Sequence, residues 1–161
     1  MRFVLAGNAI LQYNDLLRRS HLATERKISA VGYVRVATTE TGQDRAQVER
    51  HKDTVIEYCR NSRITLTHMI VDIGGREGRG RALDLLGMGR ASVLVVPCLA
   101  HLSRQSDELA QMIAHYFTPP AGVADLITVA ERLDTRTPQG RMAIDVLRCI
   151  ARFESEGAYH A

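Results

Sequence analysis

The chain has 161 residues, 45% of them hydrophobic and 24% charged, which suits one compact domain and excludes both a disordered tail and a pair of full-sized domains. Its three cysteines, Cys59, Cys98 and Cys149, are widely spaced with no CxxC pair, so neither a disulfide framework nor a structural zinc site is expected, and a reducing, cytoplasmic setting follows. No apolar run approaches the roughly 18 residues of a membrane span, and the net charge of +3 resides in residues 1–30, where Arg2, Arg18, Arg19, Arg26 and Lys27 outweigh Asp15 and Glu25.

Residues 1–29 read as an N-terminal helical extension, because Phe3, Ala6, Ile10, Tyr13 and Leu17 recur at 3-4-3-4 spacing. That helix either packs on its own domain or offers a seam to a partner. Residues 30–161 alternate short β-rich runs with longer helical ones, the pattern of βαβ units, so a mainly parallel four-stranded α/β sheet flanked by helices is expected. Ala30–Val36 is the first strand, and Asp44–Ser62 follows as a helix with Val48, Val55, Ile56 and Cys59 on one side. Thr65–Asp72 is the second strand, closed by IGGREGRG, whose four glycines predict irregular backbone at a strand's carboxyl end, where open α/β sheets bind ligands. Arg81–Met88 reads as a short helix, Ser92–Pro97 as a buried strand, Ser106–Phe117 as an amphipathic helix and Asp125–Ala130 as the fourth strand. A final helix is predicted from about Gly140 to Glu156, with Met142, Val146, Cys149, Ile150 and Phe153 on its apolar face and Gly157 as its stop.

Five blocks in order, GYVRVATTE at 32–40, VDIGG at 71–75, RALDLL at 81–86, LVVPCLAHLSRQSDEL at 94–109 and RLDTRTPQGRMAIDVL…ARFE at 132–154, resemble the catalytic domain of the resolvase/invertase serine recombinases over about residues 30–156. The resemblance implies phosphoryl transfer: a serine hydroxyl attacks a DNA phosphate, arginines neutralise the growing charge, and an acid protonates the leaving sugar oxygen.

The family's Tyr-x-Arg-x-Ser appears here as Tyr33-Val34-Arg35-Val36-Ala37, so the nucleophile's position holds a methyl group, which cannot attack phosphorus. Thr38 is adjacent, but a one-residue shift along a strand turns a side chain to the other face. The family's Asp-Arg-Leu-x-Arg becomes Ala100-His101-Leu102-Ser103-Arg104, keeping one arginine and losing the acid. A further family arginine falls at Gly80, between Arg79 and Arg81. Arg35, Arg76, Arg79, Arg81 and Arg104 are therefore the candidates for binding phosphate or DNA, in a stretch from Gly74 to Arg104 with five arginines against Glu77 and Asp84. The turn motif is complete at Asp134, Thr135, Thr137, Pro138, Gly140 and Arg141, with Thr137 placed to cap the last helix and Pro138 in its first turn.

In the family the final helix forms the dimer interface and leads to a DNA-binding region, whereas this sequence stops at Ala161, so no reader of DNA sequence is expected. GGREGRG lacks the lysine and Ser/Thr of a phosphate-binding loop, and the six histidines share no metal-ligand spacing, so no cofactor and no metal are expected. The expected function is that of a catalytically inactive, recombinase-like interaction or regulatory module, a homo-oligomer or the partner of another protein, possible at DNA and without membrane contact. Two other readings stand beside it: a recombinase using a substitute nucleophile, and a non-specific DNA binder using the arginines.

Overall fold

The structure, a computed structural model, describes residues 27–38, 44–118 and 122–157, with side chains to Phe153. The expected N-terminal helical extension lies outside the described residues.

Strands β1 (Ser29–Val36), β2 (Thr65–Ile73), β3 (Val93–Val96), β4 (Asp125–Thr128) and β5 (Leu133–Asp134) form one sheet in the order β2-β1-β3-β4-β5. The pairs β1–β2, β1–β3 and β3–β4 are parallel and β4–β5 is antiparallel. Four strands lie where the sequence predicts them; the fifth is an addition. Two residues carry no periodicity, and RLDTR reads as turn chemistry until Thr135 pins it to β4: its Oγ1 accepts from Leu126 N and donates to Asp125 Oδ1, both at 2.9 Å.

The central strands β1 and β3 are apolar on both faces because both faces are covered. Helix α1 (Asp44–Asn61) covers one face, where Val48, Val55 and Cys59 meet Ala30, Val34, Val93, Val95 and Ile127. Helices α2 (Glu77–Gly87), α3 (Ser106–Tyr116) and α4 (Pro138–Gly157) cover the other, through Ala82, Leu86, Met112, Ile113 and Ile144 on Val31, Leu94, Val96 and Leu126. Gly32 allows α1 to approach closely, since a β-carbon there would sit 2.9 Å from Val55 Cγ1 and 3.0 Å from Met69.

Helix α2 starts one turn earlier than expected, at Glu77 instead of Arg81, so Gly78 and Gly80 are helical and not loop. The cause is a cap from outside the helix: Asp72 at the end of β2 accepts from Gly78 N at 2.9 Å and Arg79 N at 3.2 Å. Gly78 is needed for that contact, because a β-carbon would press on the Asp72 carboxylate and Ile70. The sequence around 77–80 contains no sign of a partner several residues upstream.

Helix α4 begins at Pro138, with Thr137 Oγ1 accepting from Gly140 N at 3.0 Å. It is apolar on two sides. Ala143, Ile144, Leu147 and Ala151 face the body, whereas Met142, Val146, Ile150 and Phe153 point outward, 70%, 53%, 50% and 82% exposed. A groove of about 560 Å³ between this outward stripe and Leu99 and Leu133 continues the apolar surface. Among the described residues no helix is long and apolar enough to cross a membrane.

Candidate functional site

The candidate site lies at the carboxyl ends of β1 and β2. The ladder between β1 and β3 stops at Gly32–Val95, while that between β1 and β2 runs to Val36–Ile73. Past the split, the Arg35 N–H donates to His101 Nδ1 at 2.9 Å, so a side chain replaces the missing strand neighbour. His101 ends a short 3-10 turn, Leu99–His101, and is buried. Its ring meets that of His51 on α1 edge-on, with centroids 4.6 Å apart. Burial first, then His51, lowers the His101 pKa to about 4. The imidazole is thus neutral near pH 7 and accepts on Nδ1, whereas the sequence resemblance leads to a cationic donor at this position.

Ala37 follows β1 and is exposed, as is Thr38. Thr38 leans on Gly74, where a β-carbon would strike its hydroxyl; Gly74 has φ 73°, the left-handed conformation that favours glycine, and its N–H donates to Val36 O at 2.9 Å. Below them, the fully buried Tyr33 hydroxyl donates to Asp72 Oδ2 at 2.8 Å. Burial, and then the Asp72 hydrogen bond, raises the Tyr33 pKa far above the ordinary phenol range, so this hydroxyl stays protonated.

The start of α2 contributes the arginines, Arg76 just before it and Arg79 in its first turn. Arg79 donates through Nη1 to Leu102 O at 2.7 Å and through Nη2 to Glu108 Oε1 at 2.6 Å. Arg76 reaches Glu108 Oε2 at 3.2 Å, and Ser103 Oγ donates to the same oxygen at 2.5 Å. The Arg79 bond first, and then that from Ser103, holds the Glu108 carboxyl at a pKa of about 2.

Arg35, Ala37, Arg76, Arg79, Ala100, His101 and Arg104 therefore belong to one end of the sheet. Arg35 is half-buried within electrostatic reach of Tyr33, and Arg104 is exposed within reach of His101. Ala100 is exposed in the 3-10 turn, beside Leu99, whose N–H donates to Glu131 Oε1 at 3.1 Å. Arg81 is separated from this group: it lines a surface hollow with His68, Ile70 and Asp84 at the β2 edge. Gly80 is an exposed helical residue with open space where a β-carbon would go.

The turn motif closes around Asp134. Burial alone would raise the Asp134 carboxyl, but the Arg136 side chain at 2.6 Å and the Arg136 N–H at 3.0 Å outweigh it and the pKa is lowered. Thr135 and Thr137 bind as described above, and Arg141 Nη1 reaches Thr135 O at 3.5 Å. Gly140 has no alternative, because a β-carbon would run into the Asp134 carbonyl oxygen.

Sequence reasoning missed Glu108, Ser103 and His51. Glu108 sits in the first turn of α3, where an acid is ordinary helix chemistry, and its partners Arg76 and Arg79 lie about 30 residues earlier in the chain. A charge count confined to Gly74–Arg104 stops short of it. No local signal marks it.

The arginines gather at the carboxyl ends of parallel strands in an α/β domain covered by helices on both faces, the end where open α/β sheets bind ligands, which makes it the candidate site. The family model described as "Resolvase, N terminal domain" matches residues 30–159, and the chain belongs to that family. Two solved structures have the same fold. The N-terminal catalytic domain of TP901-1 integrase aligns with a TM-score of 0.68 at 20% identity, covering 80% of this chain and 97% of that one. A resolvase family site-specific recombinase from Streptococcus pneumoniae aligns with a TM-score of 0.67 at 21% identity, covering 83% and 91%. None of the curated proteins compared matches the chain.

Proposed function

We propose that this chain is a recombinase-fold domain without strand-transfer chemistry, acting through protein contacts made by α4. The observation that carries the reading is the exposed methyl group of Ala37 where the family's nucleophile stands. Its surroundings support it. Ala100 has no proton to give a leaving oxygen, and His101 is a neutral acceptor committed to the Arg35 N–H and not a cation facing a phosphate. Three chemically different functions are missing together, which is more than a single substitute group would restore.

The positive half of the reading rests on α4, which presents Met142, Val146, Ile150 and Phe153 to solvent at helical spacing, continuous with the apolar groove. Isolated monomers seldom expose such a patch. A second copy of the chain, related by a two-fold axis so that the same stripe meets itself, is the occupant that fits. Contact with DNA is secondary in this reading, because Arg76 and Arg79 are already engaged by Glu108.

The chemical half is tested by mixing the chain with supercoiled plasmid and stopping the reaction with denaturant. Wild-type protein and Ala37→Ser are both expected to migrate free of DNA, the latter because Ala100 and His101 persist. A covalent protein–DNA adduct formed by wild type and lost in Thr38→Ala would overturn the reading in favour of a substitute nucleophile.

A further inference from the structure

At the same end of the sheet as Ala37, the fold builds a place for an oxyanion and fills it from within. The Glu108 carboxylate takes Arg79 Nη2 on one oxygen at 2.6 Å, and Arg76 Nη1 and Ser103 Oγ on the other at 3.2 and 2.5 Å. Three donors from α2 and the loop before α3 thus converge on a pair of oxygens, the arrangement by which guanidinium and hydroxyl groups hold a phosphoryl group. The donors are set in advance. Arg79 is anchored by Leu102 O at 2.7 Å, and Ser103 Oγ is oriented by the Gln105 N–H at 3.0 Å. The pocket is within reach of solvent, since the Glu108 side chain is 28% exposed and that of Arg79 17%. Two guanidinium groups face the Glu108 carboxylate, with Arg35 and Arg104 at the same end of the sheet, while Asp72 and Glu77 are hydrogen-bonded to the backbone at the start of α2.

We propose that Arg76, Arg79 and Ser103 form a binding site for a phosphoryl oxyanion, and that Glu108 occupies it as an internal competitor that keeps it masked. The proposal goes beyond the non-catalytic reading and does not depend on it, because adduct formation reads chemistry and reversible binding reads the mask. Free phosphate and the phosphodiester of a nucleic acid offer the same oxygens, so both serve as probes. If the Glu108 contacts merely tie α3 to α2, removing them lowers stability and leaves anion binding where it was.

The test titrates the full chain with inorganic phosphate by calorimetry and with a short labelled DNA duplex by anisotropy. The variants are Glu108→Gln, Glu108→Ala and Asp107→Ala, the last making the same charge change one residue away. Both Glu108 variants are expected to bind at least one probe about tenfold more tightly than wild type, within the usual range for coupling between a ligand and a competing contact. If the duplex is that probe, the salt dependence of its binding steepens by about two counterions, one for each arginine released. A gain for phosphate alone identifies a small-anion site, and a gain for the duplex a nucleic-acid contact. Adding Arg79→Ala to Glu108→Gln cancels the gain. The proposal is overturned if folded Glu108 variants bind neither probe more tightly than wild type, if Asp107→Ala gains as much, or if the gain survives Arg79→Ala. Should Glu108→Ala fail to fold, Glu108→Gln carries the comparison, since it keeps the side chain's size and one acceptor oxygen.

Discussion

At the scale of single residues, His101 is the most altered part of the site. The family's arginine there would be a permanent cation, whereas the histidine is buried, neutral and bonded to the backbone of Arg35. The groups facing it are His51 from α1, the Arg35 N–H from β1, Glu131 from the turn between β4 and β5, and Arg104 from the following loop. With a folded pKa of about 4 against an ordinary 6.5, the unfolded chain takes up the proton first as pH falls. This contribution is therefore complete above pH 6.5 and lost as pH falls toward 4, at roughly 1.4 kcal/mol per pH unit at most. His51, lowered by its own burial and by Arg50, acts in the same direction. Denaturant melts across this window should show stability falling with acidity, and His101→Gln should remove most of the slope. An unchanged slope in that variant would assign the pH dependence elsewhere. Glu108 titrates in a lower window, its contribution held above about pH 4.5 and lost toward 2, so the two are separable.

At the scale of elements, the distinction lies between local chemistry and chemistry that arrives from a distance. The DTRTPQGR segment is legible in the sequence because its cap, its proline and its glycine act within a few residues of each other: Thr137 caps α4 and Gly140 packs on Asp134. Two glycines make the point testable by melting. Gly140→Ala should destabilise the fold by about 2 kcal/mol or more through its clash with backbone, whereas Gly80→Ala, helical and facing open space, should stabilise it by about 0.5–1 kcal/mol. Equal responses would mean that the Asp134 contact relaxes freely. Elements fixed from outside themselves were not legible. The early start of α2 needs Asp72, β5 needs Thr135 to hold it to β4, and the masking of Arg79 needs Glu108. In each case the partner lies beyond the window over which a periodic pattern or a glycine count can speak. The strands β1 and β3 were legible for the opposite reason, since burial on both faces leaves near-continuous apolar runs, residues 30–34 and Val93–Val96.

At the scale of the whole molecule, a recombinase-type frame carries the proposed loss of chemistry. The fold matches that of recombinase catalytic domains, and the sequence resemblance puts Ala37, Ala100 and His101 where the family has its reacting groups. Met142, Val146, Ile150 and Phe153 give α4 an outward apolar face left without cover by the described residues, and the proposed function is carried there. Sedimentation equilibrium of the full chain is the most direct measurement. Wild type should associate reversibly as a dimer, and Val146→Asp with Phe153→Asp, both at exposed positions, should sediment as a folded monomer with an unchanged melting temperature when measured as dilute monomer. A wild-type chain that remains monomeric across the accessible concentrations, or a dimer that withstands both charges on α4, would contradict the account.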